Sequence, residues 1–535
     1  LLIKSLQMAI KLTQEKKIAT KMEKIGAIWV LPFHGQGHML PTIELCNRLA
    51  SRSFKIKFIM STQISSSVPP SLIENPSIEI LFLPSSAPPP PPPPESVGHH
   101  NPLELHLPAD HKDPFGNNQM IDELEKLIKT QLQKSETILL ECVIVDVMMS
   151  WSRQAFEKFK MPVIGFFTSG ACSAAMEYAV WKEQLSGDFE SAGIHLLPSL
   201  PDELALSGAD LKKRSRGPPR GPDRPTSRPR DIHGPPRGHP PPPFDGMKKA
   251  PPQLGQQPPW LEETKECVAL LINTCREVEG RFLDYLAQQI GKPVWGAGPL
   301  LPDKYLSPDR SALHDQEIRG TRQTNVNEND VAQWLDRRPN GSVLYVSFGT
   351  EVGPRREELT LLAEALESSK VSFIWVIQNS RRPIGGPISD PDSEEEEDVL
   401  PQGFEERIGD GGMIIRGWAP QLLILRHPST GGFLSHCGWN SVMEAVCGGV
   451  PILAWPIRGD QFFNSDLVVK YLGVGYAIND DGSTMDQKAE IVKGIEKVIG
   501  NGEVKKRSVE LSRKLENGYS RSSEECLDVM RSMFY

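Results

Sequence analysis

Residues 418–461 read WAPQLLILRHPSTGGFLSHCGWNSVMEAVCGGVPILAWPIRGDQ, and this stretch decides how the rest of the chain is interpreted. It opens with Trp418, passes through several glycines, and reaches a short helix predicted to begin near Trp439. An apolar strand follows and leads to the pair Asp460 and Gln461. A flat ring, a glycine-rich approach to a helix and a polar pair, in this order, predict a site for a nucleotide diphosphate joined to a polar group.

Length and composition bound the class of protein. At 535 residues the chain is too long for one compact core, which predicts two large domains. The formal net charge of −9 argues against nucleic acid or an anionic membrane as the partner of the whole chain. No apolar run reaches the roughly 18 residues of a membrane span. The eight cysteines show no CxxC spacing, so we expect reduced core thiols in a cytoplasmic protein, and we expect a monomer.

The first 21 residues are interpreted as a disordered or upstream-translated extension. The chain begins with Leu1, and Met22 stands just ahead of the first predicted strand. Residues 1–21 also lack the continuous apolar core of a secretory signal. A Lys-rich targeting segment is the alternative interpretation of this stretch.

The rest of the chain alternates strands and helices in the manner of parallel α/β domains. Apolar runs predict buried strands at Gly26–Phe33, Phe54–Met60, Ile78–Leu83, Glu141–Asp146, Pro162–Phe167, Val268–Asn273, Ser342–Phe348, Val371–Ile377, Met413–Ile415 and Ile452–Pro456. Helices are predicted at Pro41–Ala50, Met120–Lys134, Trp151–Phe159, Glu279–Gln289, Asp330–Leu335 and from Asp486 to the C-terminus. The spacing of an amphipathic helix is shown by Leu359, Leu362, Ala363 and Leu366.

Three segments have compositions that predict loops. The proline run Pro88–Pro94 lies in an irregular stretch, 85–118, and the acidic run Asp390–Asp398 is interpreted as a solvated loop. Leu211–Pro259 is rich in Arg, Pro and Gly and cannot bury enough apolar surface to fold alone. It is interpreted as a disordered insertion at about 211–259 in the first domain, with an RNA-contacting arm as the alternative.

The opening of the 418–461 stretch suits a base and a phosphate. Trp418 follows a predicted strand at the carboxyl edge of an open sheet, where its ring can stack on a planar base. The alternative is a core-edge aromatic. The helix near Trp439 presents unpaired N–H groups to a phosphate, and Gly438 lets the backbone approach closely. His436 and Ser441 can add side-chain donors, although a lone histidine is more often structural.

The rest of the stretch suits hydroxyl groups. Glu444 lies one helical turn after Asn440 and Ser441, and we expect its carboxylate to point outward and to accept hydrogen bonds from a ribose diol. Asp460 and Gln461 follow a strand at its carboxyl end and suit a polyhydroxyl group such as a hexose. The alternative for this pair is an ordinary solvent-facing loop.

A candidate catalytic pair lies in the first half of the chain. His38 follows the first strand in a glycine turn, and a neutral imidazole is a competent general base. Asp146 ends another strand, and a carboxylate on the other ring nitrogen would fix the tautomer and stabilise the imidazolium. His34 is the competing base, and spacing alone does not choose between the two histidines. The GQGH turn also resembles a dinucleotide-binding fingerprint, but the third glycine is missing.

Residues 418–461 resemble the signature of plant family 1 UDP-dependent glycosyltransferases. The resemblance includes GQGHMLP at 35–41, VIVD at 143–146, FFTSG at 166–170, VSFGT at 346–350 and GWAPQ at 417–421, and covers about Met22 to Tyr535 apart from the Pro-rich insertion. It implies a GT-B fold, with two Rossmann-like domains facing a cleft. The implied parts are an acceptor-binding domain at 22–292, a linker at 293–326, a UDP-sugar-binding domain at 327–505 and a C-terminal helix at 506–535 that returns to the first domain.

The resemblance also implies roles for individual residues. Trp418 would stack on uracil, Gln421 would contact the nucleoside, and Glu444 would hold the ribose hydroxyls. His38 would be the catalytic base and Asp146 its partner. The diphosphate would be bound by Thr350, His436, Gly438, Asn440 and Ser441, and the sugar by Thr168, Trp439, Asp460 and Gln461.

The reaction implied is an inverting transfer of glucose. In this family Gln at the position of Gln461 goes with glucose, whereas His goes with galactose, and Trp439 in place of Arg argues against a glucuronate donor. We therefore expect metal-independent, cofactor-free transfer from UDP-glucose to a hydroxyl of a small lipophilic plant metabolite, such as a phenolic, flavonoid or terpenoid. Two other functions stay open: a catalytically inactive UDP-sugar-binding relative, and a nucleic-acid-associated protein acting through the basic segment 211–249.

Overall fold

The structure is a computed structural model that describes most of the two predicted domains. The described residues are 27–62, 70–83, 118–134, 142–185, 193–215, 254–307, 324–350, 353–377, 400–478, 484–500, 502–515 and 520–534. Several predicted features lie outside them, namely the extension at 1–21, the proline run, the acidic run and residues 216–253 of the insertion.

Nine strands are found among the described residues before residue 300. They are β1 (Ala27–Leu31), β2 (Lys55–Ser61), β3 (Ile78–Leu83), β4 (Cys142–Asp146), β5 (Val163–Phe167), β6 (Ile194–His195), β7 (Leu206–Ser207), β8 (Ala269–Ile272) and β9 (Val294–Gly296). Seven of them form a sheet in the order β3-β2-β1-β4-β5-β8-β9, and β6 pairs with β7 in an antiparallel ribbon. The pairs among β1 to β5 are parallel, with Leu31 of β1 opposite Val145 of β4.

Six further strands form a second sheet. They are β10 (Val343–Ser347), β11 (Ser372–Ile377), β12 (Gly412–Arg416), β13 (Thr430–Ser435), β14 (Ile452–Ala454) and β15 (Gly475–Ala477). Their order is β12-β11-β10-β13-β14-β15, and all five neighbouring pairs are parallel. The loops that leave β10, β12, β13 and β14 therefore start from the same edge of the sheet.

Helices connect these strands. The α-helices of the described residues are Gln36–Ser51, Pro70–Ile73, Asn118–Lys134, Arg153–Lys158, Ala171–Lys182, Gly208–Ser215, Pro259–Glu263, Arg276–Ile290, Asp303–Leu306, Glu328–Asp336, Arg356–Ser369, Phe404–Ile408, Gln421–Arg426, Trp439–Gly448, Gln461–Asp466, Thr484–Val498, Glu503–Leu515 and Arg521–Phe534. Short 3₁₀ turns lie at Val147–Ser152, Asp202–Leu204 and Gly409–Gly411, and a π-helical turn at Leu467–Tyr471.

The ten predicted strands are all present, with bounds that differ by a few residues at most. Continuous apolar runs predict strands well because parallel strands are covered on both faces. Every residue of β1, β4, β10 and β13 is buried, for example. The predicted amphipathic helix also forms, as Arg356–Ser369, and buries all four of its predicted core residues.

The first helix begins earlier than predicted. It starts at Gln36, and Pro41 lies inside it, so the prediction of a start near Pro41 is wrong. The amides of His38 and Met39 both donate to the carbonyl of Gly35, and this closes a helical turn before the proline is reached. As a result His38 stands in the first turn of a helix, and not in the loop ahead of it.

The ends of the predicted insertion are ordered. The helix Gly208–Ser215 buries Leu211, and the helix Pro259–Glu263 follows on the other side of residues 216–253. The guanidinium of Arg214 is almost fully buried, forms an ion pair with Asp466, and lies 4.9 Å from the ring centre of Phe463. The disordered stretch predicted from 211 to 259 is therefore too long at both ends, because Gly208–Ser215 and Pro259–Glu263 are helical and Arg214 pairs with Asp466.

Contacts divide the described residues into two compact units. One contains the described residues up to Phe166, Glu266–Leu271 and those from Glu524 onward; the other contains those of Phe167–Lys265 and Ile272–Ser523. In the first unit Arg52 forms an ion pair of 2.7 Å with Glu524 of the last helix. In the second unit the largest side chains of the core include Trp375, Tyr345 and Phe433. The predicted domain limits stay a prediction.

The cysteines are core residues, as predicted. All eight are buried, and none is joined to another in a disulfide. Burial raises the pKa of the Cys172 and Cys275 thiols well above the usual range, so both are protonated at neutral pH. Among the described residues, no helix is both long enough and apolar enough to cross a membrane.

Candidate active site

His38 and Asp146 are brought into direct contact in the first unit. Nδ1 of His38 lies 2.7 Å from Oδ2 of Asp146, whose side chain is inaccessible to solvent. Oδ1 of Asp146 accepts a hydrogen bond of 2.9 Å from the backbone amide of Met148, so both carboxylate oxygens have a partner. The ring of Phe33 meets the imidazole edge to face, with 5.0 Å between ring centres. The carboxylate therefore fixes the orientation of the ring and leaves Nε2 as the nitrogen suited to proton transfer.

His34, the competing base, lies in a different environment. Burial lowers its pKa to about 4, and the nearby charge of Asp146 only partly offsets this effect. A group that titrates so low is a weak base at neutral pH, because a general base works best with a pKa near the operating pH. The low pKa of His34 and the contact of His38 with Asp146 are consistent with His38 as the base, and this choice stays a prediction.

The second unit gathers the residues of the 418–461 stretch at one edge of its sheet. Trp418 is half-buried and follows β12 by two residues, His436 follows β13 directly, and Asp460 stands in the loop after β14. Thr350 is exposed in the turn after β10. This is the carboxyl edge, where open α/β sheets bind their ligands.

Gln421 and Glu444 belong to one polar cluster. Nε2 of Gln421 lies 2.5 Å from Oε2 of Glu444 and 3.2 Å from Oγ of Ser441. Oε1 of Gln421 accepts a hydrogen bond of 3.0 Å from the hydroxyl of Tyr345. Both ends of the Gln421 side-chain amide therefore have hydrogen-bond partners. The amide in turn orients the Glu444 carboxylate, which the resemblance assigns to the ribose.

The prediction that Glu444 points outward is wrong. Only 2% of the residue is exposed, because the helix Trp439–Gly448 packs on the helix Gln421–Arg426 along this face. Tyr305 adds a further contact by donating to the backbone carbonyl of Glu444 at 2.6 Å. The carboxylate is held at the bottom of the cluster, where hydroxyl groups would have to reach it.

His436 lies between two glycines. A Cβ placed on Gly438 would stand 2.5 Å from Nε2 of His436, and one on Gly349 would stand 2.8 Å from Cε1. Neither position has room for any other residue, and Gly349 also has a φ of 75°. Burial, and then the charge of Arg458, lower the pKa of His436 to about 4, so the imidazole is neutral at neutral pH. A neutral ring supplies an N–H donor without a net charge.

The backbone at the start of the helix Trp439–Gly448 is held in an unusual shape. Cys437 has a φ of 64°, in the left-handed region that residues other than glycine rarely adopt. Its amide donates to Oγ of Ser435 at 3.1 Å, and its carbonyl accepts from Nδ2 of Asn464 at 3.0 Å. This turn leads into Gly438, the N-cap residue, whose lack of a side chain leaves the helix amides open to an anion.

The side chain of Trp439 is buried and has a structural role. Its Nε1 donates to the backbone carbonyl of Asn273 at 2.7 Å, and 4% of the residue is exposed. A Cβ on Gly170 would lie 2.8 Å from Cζ3 of the indole, so the ring covers this glycine closely. A contact between Trp439 and a sugar would thus involve its backbone, and it stays a prediction.

Asn273 joins several predicted site residues and was missed from the sequence. Its Nδ2 lies 3.4 Å from Oδ1 of Asn440 and 3.4 Å from the carbonyl of Thr168. Its Oδ1 accepts from the amide of Leu300 at 3.0 Å. The signal that could have indicated it is its place directly after the buried strand Ala269–Ile272, where a polar residue reaches the ligand edge.

Asp460 and Gln461 are not an ordinary solvent-facing loop pair. Oε1 of Gln461 accepts from the amides of Ile457 at 2.9 Å and Arg458 at 3.0 Å, and the residue is buried. Oδ2 of Asp460 accepts from Nδ2 of Asn464 at 3.1 Å. Both side chains thus shape the loop that follows β14, and the amide of Gln461 keeps its Nε2 donor for a further partner.

The first unit carries a histidine–carboxylate pair, and the second unit carries a helix start of the kind that binds phosphate. Within the described part of the chain, no group of three His, Cys, Asp or Glu side chains is placed to hold a metal ion. What the residues offer chemically is a base, a set of neutral N–H donors and a buried carboxylate for hydroxyl groups.

Comparison with known proteins identifies the class. The family model described as UDP-glucoronosyl and UDP-glucosyl transferase matches residues 316–517. Mogroside IIIx synthase of Siraitia grosvenorii is 31% identical over 486 residues, which cover 88% of this chain and 85% of that protein. Scopoletin glucosyltransferase of Nicotiana tabacum is 28% identical over 487 residues, which cover 88% of each.

The fold agrees with these relatives. A UDP-glucosyltransferase from Polygonum tinctorium capable of glucosylating indoxyl, solved with 3,4-dichloroaniline, matches with a TM-score of 0.66 at 24% identity, over 96% of this chain and 99% of that one. The predicted GT-B fold, with two sheets of Rossmann type, is thereby confirmed. The chain belongs to the plant family 1 UDP-glycosyltransferases, and the protein is a UDP-glycosyltransferase.

Proposed function

We propose that the protein transfers glucose from UDP-glucose to a hydroxyl group of a small lipophilic metabolite, with inversion at the anomeric carbon. The observation that carries the proposal is the contact of 2.7 Å between His38 and the buried carboxylate of Asp146. A hydroxyl acceptor has to lose its proton as it attacks, and this pair is built to take it. An inactive sugar-nucleotide-binding relative has no need of an oriented, carboxylate-bound imidazole.

The proposed transfer is a single displacement at the anomeric carbon. Nε2 of His38 takes the proton of the acceptor hydroxyl while its oxygen forms a bond to the anomeric carbon. The bond from that carbon to the diphosphate oxygen breaks, and its electron pair leaves with UDP. Attack from the face opposite UDP turns the α-linked donor into a β-glucoside. Asp146 stabilises the imidazolium that forms on His38.

The donor site would hold UDP through the residues of the second unit. Trp418 stacks on the uracil ring, and Gln421 and Glu444 take the nucleoside, with Glu444 accepting from the ribose hydroxyls. The diphosphate lies against the start of the helix Trp439–Gly448, where backbone amides, Asn440, Ser441, His436 and Thr350 donate. Asp460, Gln461, Thr168 and the backbone of Trp439 contact the glucose.

Departure of UDP needs stabilisation of its developing charge. The proposed source is the set of N–H and O–H donors at the helix start, since preorganised donors are worth most in a site that excludes water. We therefore propose transfer without a metal ion or a cofactor. Activity that survives extensive treatment with EDTA is the expected result, and activity restored only by an added divalent cation would contradict it.

The acceptor class rests on the names of relatives. One matched protein is named as a synthase of mogroside IIIx, one as a glucosyltransferase of scopoletin, and one as a UDP-glucosyltransferase capable of glucosylating indoxyl. Scopoletin and indoxyl are small aromatic compounds that offer a hydroxyl group. We propose an acceptor of this kind.

The test is a transfer assay with UDP-glucose and a mixed panel of phenolics, flavonoids and terpenoids. Products are followed by mass spectrometry, the anomeric configuration by NMR coupling constants, and UDP-galactose and UDP-glucuronate serve as competing donors. A β-glucoside formed by the wild-type enzyme and lost in His38→Ala is the expected result. UDP-glucose binding without any product across the panel would leave the inactive relative as the correct interpretation.

The nucleic-acid alternative has less support. Arg214, the first arginine of the segment, already forms an ion pair with Asp466. Salt-dependent binding of RNA that vanished on deletion of residues 216–253 would favour that alternative.

A further inference from the structure

Glu279 is a fully buried carboxylate for which the proposed reaction has no role. It lies in the helix Arg276–Ile290 at a kink, where its φ is −130° and its ψ is 26°. Its Oε2 accepts from the amide of Ala171 at 2.9 Å, and its Oε1 accepts from the amide of Cys172 at 2.7 Å. These are the first two amides of a different helix, Ala171–Lys182.

The contact compensates for a missing cap. The N-cap residue of the helix Ala171–Lys182 is Gly170, which has no side chain to accept from the first amides. A carboxyl group from more than 100 positions along the chain fills that role by accepting two hydrogen bonds. A serine or aspartate at 170 could accept hydrogen bonds from these amides with its own side chain, but the residue at this position is glycine.

Gly170 is required there because of the indole of Trp439. A Cβ at residue 170 would stand 2.8 Å from Cζ3 and 2.9 Å from Cε3 of that ring. The local cap and the close contact therefore exclude each other. Glu279 provides the cap from elsewhere and leaves space for Trp439 to lie directly on the turn.

The same segment of chain holds the indole from the other side. Trp439 donates from Nε1 to the carbonyl of Asn273 at 2.7 Å, and Asn273 Nδ2 lies 3.4 Å from the carbonyl of Thr168. Residues 273–279 thus fix the turn 168–170 at both ends and hold the first residue of the helix Trp439–Gly448. That helix start is where the sugar diphosphate is proposed to bind.

We propose that Glu279 is a positioning residue for the sugar end of the donor site. It holds the turn that carries Thr168 against Trp439, and so sets the place of the two groups assigned to the sugar. The inference rests on the proposed function, because it presumes that a UDP-sugar occupies this site. A cap that served only the stability of one helix would not require Gly170 and Trp439 to be in contact.

The variant that tests this is Glu279→Gln. The amide keeps the size of the side chain, but its Nε2 is a donor and would face one of the two backbone amides, donor to donor. The helix start then has to shift. A displacement on the order of 1 Å in a positioning element can cost about a hundredfold in rate, so we expect kcat to fall about tenfold to a hundredfold.

The matched control is Glu277→Gln, two residues earlier in the same helix. The Glu277 carboxylate accepts from Oγ of Ser520 at 2.7 Å and from Oγ of Ser522 at 2.8 Å. Among the described residues it has no hydrogen bond or ion pair with the turn 168–170. We expect its kcat to stay within about twofold of wild type. A second variant, Gly170→Ala, pushes on the indole directly and is expected to reproduce the loss seen in Glu279→Gln.

The readout that separates positioning from mere stability is discrimination at the sugar. We expect Glu279→Gln to bind UDP with wild-type affinity in calorimetry, since Trp418, Gln421 and Glu444 are on other elements. The gain in affinity of UDP-glucose over UDP, and the preference for UDP-glucose over UDP-galactose in kcat/KM, should both fall. An unchanged preference, or a parallel fall of UDP affinity, kcat and Tm, would overturn the proposal.

Failure of the proposed function has a different outcome. In that case the wild-type protein forms no glucoside with any acceptor, whatever the state of Glu279. The affinities for UDP-glucose and for UDP can still be measured in such a protein. If their ratio is the same in wild type and in Glu279→Gln, the positioning role is overturned independently of the proposed function.

Discussion

Nδ1 of His38 lies 2.7 Å from Oδ2 of Asp146, although 108 positions separate the two residues in the chain. The sheet explains how they meet. Strands β1 and β4 are parallel neighbours with Leu31 opposite Val145, so the segments that follow both strands leave the sheet at the same edge. The distance is typical of a charge-assisted hydrogen bond. We therefore expect substitutions in this pair to lower turnover strongly.

Removal of the base should abolish most of the turnover. For His38→Ala we expect kcat to fall about 10²- to 10⁴-fold, the usual contribution of a positioned general base. Asp146→Asn should lower kcat in the same direction, because an amide can stabilise the wrong tautomer. UDP-glucose affinity, measured by calorimetry, should stay within about twofold in both variants. His34→Asn is the control, and a loss in that variant as large as in His38→Ala would reverse the choice of base.

Loss of the aromatic ring at 418 should weaken binding of the nucleotide. Stacking of a base on an aromatic side chain is worth about 1 to 3 kcal/mol, so Trp418→Ala should raise the Kd for UDP by about 5- to 150-fold. Trp418→Phe keeps a ring and should recover much of the affinity. Calorimetric titration with UDP measures both. Equal affinities of the alanine variant and wild type would return Trp418 to the role of a core-edge aromatic.

A methyl group at residue 438 should weaken binding of the diphosphate. In Gly438→Ala the new Cβ would lie 2.5 Å from Nε2 of His436, while the φ of −60° suits alanine without strain. The imidazole must move, and we expect at least about a tenfold rise in the KM for UDP-glucose, since one charge-assisted hydrogen bond is worth roughly 1.5 to 3 kcal/mol. Gly411→Ala, where a Cβ meets nothing within 4 Å, is the control and should behave as wild type.

Gln461→His tests the preference for the sugar. Oε1 of Gln461 accepts from two amides, those of Ile457 and Arg458, whereas a neutral imidazole has one acceptor nitrogen. We expect kcat/KM for UDP-glucose to fall by about tenfold, the effect of losing roughly one hydrogen bond, and use of UDP-galactose to rise relative to glucose. Competition assays with both donors measure the ratio. A ratio equal to that of wild type would remove Gln461 from the specificity determinants.

Glu279 should also affect how stability depends on pH. Burial raises its pKa to about 7 from the ordinary value of 4.5, against the hydrogen bonds from the amides of Cys172 and Ala171. The folded protein then holds a proton that the unfolded chain has lost between about pH 4.5 and 7. Stability from this group is therefore lost as pH rises through that window, by up to about 3 kcal/mol.

The histidines act in the opposite direction. His34 and His436 have pKa values lowered to about 4, so the unfolded chain binds more protons than the folded one between about pH 4 and 6.5, and stability rises with pH. Burial also raises the pKa of Glu177 to about 7, so this carboxyl acts in the same direction as Glu279. Two carboxyls then oppose two histidines, and a variant is needed to separate the contributions. Relative to wild type, the Tm of Glu279→Gln should rise as pH is raised from 5 to 7. A constant difference in Tm would show that Glu279 does not titrate in this window.

The strands and the residues that follow them at the carboxyl edge of the second sheet could be predicted for a shared reason. Parallel strands are covered on both faces and appear as apolar runs, and the residues that follow them meet at one edge whatever the loops do. Thus the positions of His436 after β13 and Trp418 after β12 could be expected from the chain alone. The contact of His38 with Asp146 followed in the same way from two strand ends.

Features that depend on which helix packs on which face were not predictable. The burial of Glu444 comes from Gln421, 23 positions earlier, and periodicity does not say that these two helices touch. The start of the first helix was misplaced because the carbonyl of Gly35, and not the proline, closes its first turn. Glu279 was missed because its partners at 171 and 172 lie more than 100 positions away.

The position of His436 between Gly349 and Gly438 has a consequence for product inhibition. UDP carries more negative charge than UDP-glucose, so any cation beside the diphosphate favours the product over the substrate. Arg458 already contributes a positive charge close enough to lower the pKa of His436. In the proposed donor site, the neutral imidazole avoids placing a second cation beside the diphosphate, and we expect this to limit the preference for UDP over UDP-glucose.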